Sequence, residues 1–398
     1  MTQLPIEVQA SAGQRLGMPV AQFLRDYWQQ RPLLVRGAFA PWQDPLAAED
    51  LAGLACEDLA LSRLVRLDRA RGHWSAERGP FDEAVFPELP QQDWTVLVQD
   101  VDKWDPDVRQ LLDAFDFLPR WRIDDVMVSF AAPGGSVGPH TDHYDVFLIQ
   151  GSGQRRWQLD LRGNRAQFRD DSELKLLQDF HADVEWLCQP GDMLYLPPEL
   201  PHFGEAVSAC LTFSIGFRAP SRSELLADLA DYLEGVDDGV SRFADAGRQA
   251  VHDSGRIETD DLQRVRQLLR QTAELDDAQL GDWFGRAMTR YRNPGLLAAP
   301  PKPLSLAQLS KRLQAGDHLV RHPFTRLAWQ AIDDTQARLY ALGEGFDTSP
   351  ALAASLCGAL HGNLEWLRGL SEDEQTTVLA LVNSGHLALE RAEGGRNP

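Results

Sequence analysis

The sequence contains no run of about eighteen uncharged apolar residues, which excludes a membrane-spanning helix of ordinary length. It also lacks a basic N-terminal stretch followed by an apolar core. The opening Met1-Thr2-Gln3-Leu4-Pro5-Ile6 therefore does not read as a secretory signal, and a cytoplasmic address is expected. Cysteine is scarce. Cys56, Cys188, Cys210 and Cys357 lie far apart with no Cys-x-x-Cys pair, which argues against a disulfide framework and a thiolate zinc site. Positive charge is in deficit, with 39 Lys and Arg against 59 Asp and Glu and a formal net charge of −20. Such a chain repels nucleic acid and membrane phosphates and attracts cationic partners over a range set by salt. A basic protein would suit it as substrate, although an acidic excess also serves solubility alone.

Three compositional regions can be read. A mixed segment runs to about residue 218, a charged helical segment from about 221 to 292, and a tail from about 303. Proline marks the joins, at Ala219-Pro220, Asn293-Pro294-Gly295 and Pro300-Pro301-Lys302-Pro303. The expected domains are 1–218, 219–298 and 299–398. Short β-rich runs recur in the first, at 94–98, 126–130, 144–150, 155–159, 193–196 and 210–217, separated by turn residues; this spacing predicts an antiparallel sandwich or barrel. Asp105-Pro106 supplies an N-cap and a first-turn proline for a helix with Val108, Leu111, Leu112 and Phe115 on one stripe.

In the middle region, Ser221 and Glu224 form a capping box for a helix carrying Leu225, Leu226, Leu229 and Leu233. Thr259 is expected to cap a second helix with Leu262, Val265, Leu268 and Leu269, and a third runs through Leu280, Phe284 and Met288. Their apolar stripes need burial, either within the subunit or in a dimer. The tail predicts a helix over 306–313, a β-hairpin within 324–346 turning near Gly343 and Gly345, and a helix opened by Ser371 to Glu374. Helix plus hairpin is compatible with a winged-helix module, and no basic surface suited to reading DNA stands out in it.

The chemistry concentrates in the first region. Gly134-Gly135-Ser136-Val137-Gly138-Pro139-His140-Thr141-Asp142 places an imidazole and a carboxylate two apart, on one face of an extended chain. Pro190-Gly191-Asp192 through Pro197-Pro198 then reads as a turn, a buried strand and a stiff exit that ends at Pro201-His202. Two histidines and one carboxylate make the facial triad of a non-haem iron(II) oxygenase, with His140, Asp142 and His202 as ligands and catalytic centre. A catalytic zinc would accept the same atoms but needs no carboxylate clamp for a second ligand. Such a clamp is available in Arg155 and Arg156, adjacent on one strand, so that only one of them can face inward. A buried guanidinium needs an anion, and the distal carboxylate of 2-oxoglutarate would supply it. Iron(II), Asp142, the cosubstrate dianion and one arginine sum to zero charge. His143 has the opposite parity and reads as structural, and His181 is a weaker rival to His202. His73, His252, His318, His322, His361 and His386 lie outside the barrel run.

At these residues the chain resembles the JmjC-type, cupin-fold 2-oxoglutarate oxygenases that hydroxylate ribosomal proteins. The resemblance lies in Ile123 to Phe130, Pro133-Gly134-Gly135, Val137 to His140, Tyr144 to Phe147, Arg156-Trp157, Pro190 to Pro198 and Ser214 to Pro220, and in Tyr27-Trp28 before Arg31-Pro32-Leu33-Leu34. It is strongest with the bacterial branch that acts on an arginine of large-subunit ribosomal protein sixteen. It implies a mainly β fold with helices: a double-stranded β-helix core, a helical dimerisation region and a C-terminal winged-helix domain. It also implies iron(II), 2-oxoglutarate and dioxygen, Arg155 as the clamp, and Thr212 or Ser214 beside the cosubstrate, where relatives often carry an amide or hydroxyl. Asp125, Met127, Ser129 and Tyr144 would line the pocket for the target arginine: Asp125 pairs with its guanidinium, Tyr144 stacks on or hydrogen-bonds it, and Met127 packs on its methylenes. The implied function is hydroxylation of Cβ of an arginine in a basic ribosomal protein, by a homodimer that binds neither nucleic acid nor membrane. The same chemistry on another residue or a small molecule, a metal-free cupin binding module, and a winged-helix adaptor are the alternatives.

Overall fold

The computed structural model describes residues 5–162, 167–170, 174–236, 242–250, 255–273, 275–291, 296–297, 299–358, 360 and 362–391. Asn293-Pro294-Gly295, His252 and His361 lie outside the described residues. The chain divides into two compact units, Met1–Ala219 and Pro220–Pro398.

The first unit contains, in chain order, β1 (Glu7–Gln9), α1 (Val20–Asp26), β2 (Leu33–Arg36), α2 (Ala48–Ala55), β3 (Ser62–Asp68), β4 (His73–Arg78), β5 (Trp94–Val98), α3 (Val101–Trp104), α4 (Pro106–Gln110), β6 (Ile123–Ala131), β7 (Val146–Gln150), β8 (Arg155–Leu159), β9 (Val184–Cys188), β10 (Met193–Leu196), β11 (His202–Ala206) and β12 (Cys210–Phe217). A nine-stranded sheet has the order β1-β2-β10-β7-β12-β6-β5-β3-β4, and a three-stranded sheet the order β11-β8-β9. Every pairing is antiparallel except β1 with β2.

The two sheets face each other. Leu34, Val146, Leu148, Leu194 and Leu196 of the larger sheet share one buried cluster with Trp157, Leu159, Trp186 and Cys188 of the smaller. The opposite face of the larger sheet, carrying Val126, Val128, Phe147, Ile149, Met193, Tyr195, Phe213 and Ile215, packs under Phe23, Leu51, Val101 and Val108 of the helices. Strands β7, β10 and β12 are thus covered on both sides, which is why their sequences are nearly unbroken apolar runs rather than alternating ones. Two facing antiparallel sheets with an enclosed interior make the double-stranded β-helix. Asp105 caps α4 as expected, accepting from the N–H groups of Asp107 and Val108 at 2.9 and 2.8 Å. Its stripe then continues in a 3₁₀ turn over 111–115 that buries Leu112 and Phe115.

The second unit contains α5 (Arg222–Val236), α6 (Thr259–Ala273), α7 (Asp277–Thr289), α8 (Leu306–Gln314), β13 (Asp317–Arg321), β14 (Leu327–Ala331), β15 (Ala337–Ala341), β16 (Glu344–Thr348), α9 (Pro350–Cys357), α10 (Leu364–Arg368), α11 (Glu372–Asn383) and β17 (Leu387–Arg391). The hairpin expected within 324–346 is three strands, β14-β15-β16, because Asp333 makes a turn of its own by accepting from the N–H groups of Thr335 and Gln336 at 2.7 and 2.8 Å. Thr259 is the first residue of α6 rather than its cap, and the Asp261 carboxylate accepts from the N–H of Glu258 at 3.0 Å. The apolar stripe of α6 is open: Leu262, Val265 and Leu269 are exposed.

Candidate active site

A loop joins β6 to β7, and its path is set by two hydrogen bonds to the start of β11. The N–H of His140 donates to the carbonyl of His202 at 3.0 Å, and the N–H of His202 to that of His140 at 2.9 Å. Gly138 makes the approach possible: its φ is +80°, and a Cβ there would lie 2.6 Å from Leu176 Cδ2. Past the bridge the chain leaves strand geometry, and the N–H of Glu199 donates to the Asp142 carbonyl at 2.7 Å. The sequence's two-residue alternation therefore places His140, whereas a backbone bond from the β10–β11 connection helps place Asp142.

One nitrogen from each of His140 and His202 and one oxygen of Asp142 lie within 4.8 Å of one another. The His202 Nε2 is 3.6 Å from Asp142 Oδ2, and the two imidazole centroids are 4.2 Å apart. Each ring is oriented through its other nitrogen. Nδ1 of His140 bonds the Gly138 carbonyl at 2.9 Å, and Nδ1 of His202 bonds that of Leu200 at 2.9 Å. A carbonyl only accepts, so both Nδ1 atoms carry the proton and both Nε2 lone pairs are left for an ion. Burial, reinforced by the adjacent His140, pushes the His202 imidazole below its usual range, so it stays neutral as a ligand must. Two imidazole nitrogens and one carboxylate are the donor set of a facial triad. His143 stands outside it, exposed and paired with Glu199; His181 is exposed, 3.8 Å from Asp183.

Burial alternates along β8, with Arg155, Trp157 and Leu159 turned inward and Arg156 and Gln158 outward. Arg155 is 7% exposed, and among the described residues no carboxylate comes within ion-pair distance of it. Among the described residues its Nε has no hydrogen-bond partner, and neither do Thr212 Oγ1 and Gln150 Oε1, all three buried. These groups share one end of the interior. Thr212 is paired in register with Gln150, and Arg155 with Ala206, which packs against Ala131 and Cys210 beside the start of β12. A buried guanidinium and a buried hydroxyl that can donate, facing one space, fit a dianion with hydrogen-bonding oxygens, because leaving the hydroxyl unmatched would cost about 1–3 kcal/mol; Gln150 Oε1, which only accepts, borders that space without adding a donor to it. Ser214, also buried, follows on the same face, opposite Leu148 and Met127. Gln150 escaped the sequence reading; an amide ending the apolar run Val146 to Ile149 was the available signal.

Asp125, Met127 and Ser129 lie opposite Gly216, Ser214 and Thr212, on the same inward face. Asp125 is 7% exposed, and its Oδ2 accepts from the N–H of Asp100 at 2.9 Å. Burial, then Asp100, Asp124 and Asp102 nearby, push its carboxyl up to about 7, with Lys103 opposing. Tyr144 is 40% exposed as a residue, while burial of its hydroxyl, with Asp142 and Asp125 beside it, pushes that group up. The next residue, Asp145, turns the other way into a buried polar knot. Its carboxylate accepts from Tyr195 Oη at 2.7 Å and Gln29 Nε2 at 2.9 Å, with Arg122 Nη2 at 3.5 Å. That knot anchors the end of the loop that carries Asp142 and Tyr144.

The family description "JmjC domain" matches residues 110–225, "ROXA-like winged helix" residues 267–388 and "AraC-like ligand binding domain" residues 180–293. The chain is similar to the ribosomal protein uL16 3-hydroxylase of Escherichia coli, 34% identical over 92% of this chain and 97% of that protein. It is 30% identical to a probable ribosomal oxygenase of Haemophilus influenzae, over 91% and 92% of the two chains. Among solved structures it resembles YcfD, a ribosomal oxygenase from E. coli in complex with cobalt and 2-oxoglutarate, with a TM-score of 0.80 and 32% identity over 94% of this chain and 99% of that one.

Proposed function

Because the chain belongs to the JmjC-type ribosomal oxygenases, we propose that it is an iron(II)- and 2-oxoglutarate-dependent protein hydroxylase that oxidises Cβ of an arginine in the large-subunit ribosomal protein uL16. The observation that carries this reading is the meeting of His140, Asp142 and His202 in the same interior as a buried Arg155 without a carboxylate partner. When bound, iron(II) with 2-oxoglutarate and dioxygen supplies the oxidising power that hydroxylates the target and releases succinate and carbon dioxide.

The chain's own work is placement. His140, Asp142 and His202 hold the ion, with Nδ1 of each imidazole pinned to a carbonyl so that neither ring turns away. Arg155 grips the distal carboxylate of the cosubstrate, Thr212 donates to it, and Ser214 and Gln150 border it. Asp125 receives the guanidinium of the target, Tyr144 covers its face, and Met127 and Ser129 wall the methylenes. Holding an unactivated C–H bond beside the oxidant while excluding water is what such a pocket contributes.

The chain works as three domains, 1–218 catalytic, 219–298 helical and 299–398 winged-helix-like, and as a homodimer closed through the open stripe of α6. It acts in the cytoplasm, where ribosomal proteins are made. No helix among the described residues is long and apolar enough to cross a membrane. The net charge of −20 disfavours direct contact with nucleic acid and favours a basic protein partner. Intact-mass spectrometry of ribosomal proteins from cells with and without the gene tests the reading: uL16 should be heavier by one oxygen only when the gene is present. Identical masses in both strains would refute it.

A further inference from the structure

The inward positions of β12 run from Thr212 through Ser214 to Gly216, about 13 Å at the ordinary rise of a strand. Thr212 lies at the Arg155 end. Gly216 lies at the other, paired in register with Asp125 on one side and Val146 on the other. Most glycines that approach this site are dictated by crowding or by the backbone. A Cβ on Gly204 would fall 2.5 Å from the Trp157 ring, and one on Gly138 2.6 Å from Leu176. Gly216 is not dictated by crowding or by a left-handed φ, and the register of β12 against β6 shifts just after it, between Gly216 and Phe217. Its φ lies outside the left-handed region, and a Cβ there would meet Asp125 Oδ1 at 3.6 Å and Tyr144 Cε2 at 3.8 Å, both ordinary contacts, with nothing else described within 4 Å apart from its chain neighbours. Alanine would therefore fold here without strain, and a larger inward residue would bury more apolar surface than a glycine does.

What a side chain at 216 would occupy is the space bounded by a carboxylate oxygen and an aromatic ring, Asp125 Oδ1 and the Tyr144 ring. A guanidinium is recognised by those same two groups, a carboxylate in its plane and a ring against its face. We propose that Gly216 is a specificity-determining residue: the volume left by its missing side chain is the slot in which the target guanidinium reaches Asp125 alongside Tyr144. The claim rests on the reading that the target is an arginine. It adds that selection is made by an absence on β12 as well as by Asp125 and Tyr144, and that any side chain at this position closes the site to arginine while the cosubstrate end, four residues away, is untouched.

The test uses the full chain loaded with iron(II) and 2-oxoglutarate under nitrogen, so that nothing turns over, and titrates purified uL16 into the wild type, G216A and G216V. The wild type should bind uL16. G216A should bind at least tenfold more weakly and G216V more weakly still. The 2-oxoglutarate affinity and the thermal midpoint of G216A should match the wild type. A G216A protein that binds uL16 as tightly as the wild type overturns the proposal, as does one whose 2-oxoglutarate affinity falls in step. A wild type that does not bind uL16 overturns the arginine reading, and the slot with it.

Discussion

Asp125 keeps a carboxylate where water scarcely reaches, surrounded by other acids, and its carboxyl is raised to about 7. The raised value means that the folded chain holds a proton between about pH 4 and 7 that the unfolded chain gives up. The stability this confers is full below about pH 4 and is lost as pH rises through 7. Asp125→Asn keeps the acceptor for the Asp100 N–H and removes the charge. Chemical denaturation should find the variant more stable than the wild type by about 1–3 kcal/mol at pH 8, with little difference at pH 4. The same variant should lose arginine hydroxylation; a gain in stability with undiminished turnover would separate Asp125 from substrate binding. Tyr195 makes a second test. Removing its hydroxyl deprives the buried Asp145 of a donor and the Gln29 N–H of an acceptor, at a cost of about 1–3 kcal/mol. Tyr195→Phe should lower the melting temperature and raise KM for the ribosomal protein, leaving KM for 2-oxoglutarate near its wild-type value. Equal changes in both constants would mean that the knot supports the whole barrel rather than the loop.

The strands that could be read from sequence were those with continuous or alternating apolar runs: 94–98, 155–159, 193–196 and 210–217 coincide with β5, β8, β10 and β12. Others gave no such signal. β11, His202-Phe203-Gly204-Glu205-Ala206, contains a glycine and a charge; it is a strand because Gly204 lets the Trp157 ring lie against the backbone, a tertiary fact that no local pattern encodes. β4 pairs only at its β3 side and is mostly exposed, and its alternation, half-buried Trp74 and Ala76 between polar neighbours, is too short to announce a strand. The turn between α11 and β17 buries His386 at 1% exposure, with neither ring nitrogen partnered among the described residues and the ring near-perpendicular to that of Phe346. Burial, with His322 nearby, pushes its imidazole down to about 4. The unfolded chain then takes up a proton that the folded chain refuses, so stability falls as pH drops from about 6.5 towards 4. His386→Leu should blunt that loss, seen as slower hydrogen exchange across α11 and β17 at pH 5 than in the wild type. Equal exchange at pH 5 would show that the buried ring is not what titrates.

Across the whole chain, the acidic balance was legible, and so were the clustering of His140, Asp142 and His202 and the inward turn of Arg155, each announced by a local motif. What the sequence could not convey was convergence: that Gln150 and Thr212 meet at one end of the interior, and that Gly216 is empty at the other. These depend on register between strands far apart in the chain. The net charge of −20 should act on a basic ribosomal protein at long range. Raising salt from about 50 to 300 mM should lower kcat/KM for uL16 several-fold, with a smaller effect on kcat. A flat salt profile would reduce the acidic surface to a solubility device. The most direct measurement takes purified chain, iron(II), 2-oxoglutarate, dioxygen and uL16, and counts succinate formed against oxygen atoms added to the arginine. The account predicts one for one in the wild type and neither product from Asp142→Ala; succinate and hydroxylation persisting in that variant would contradict it.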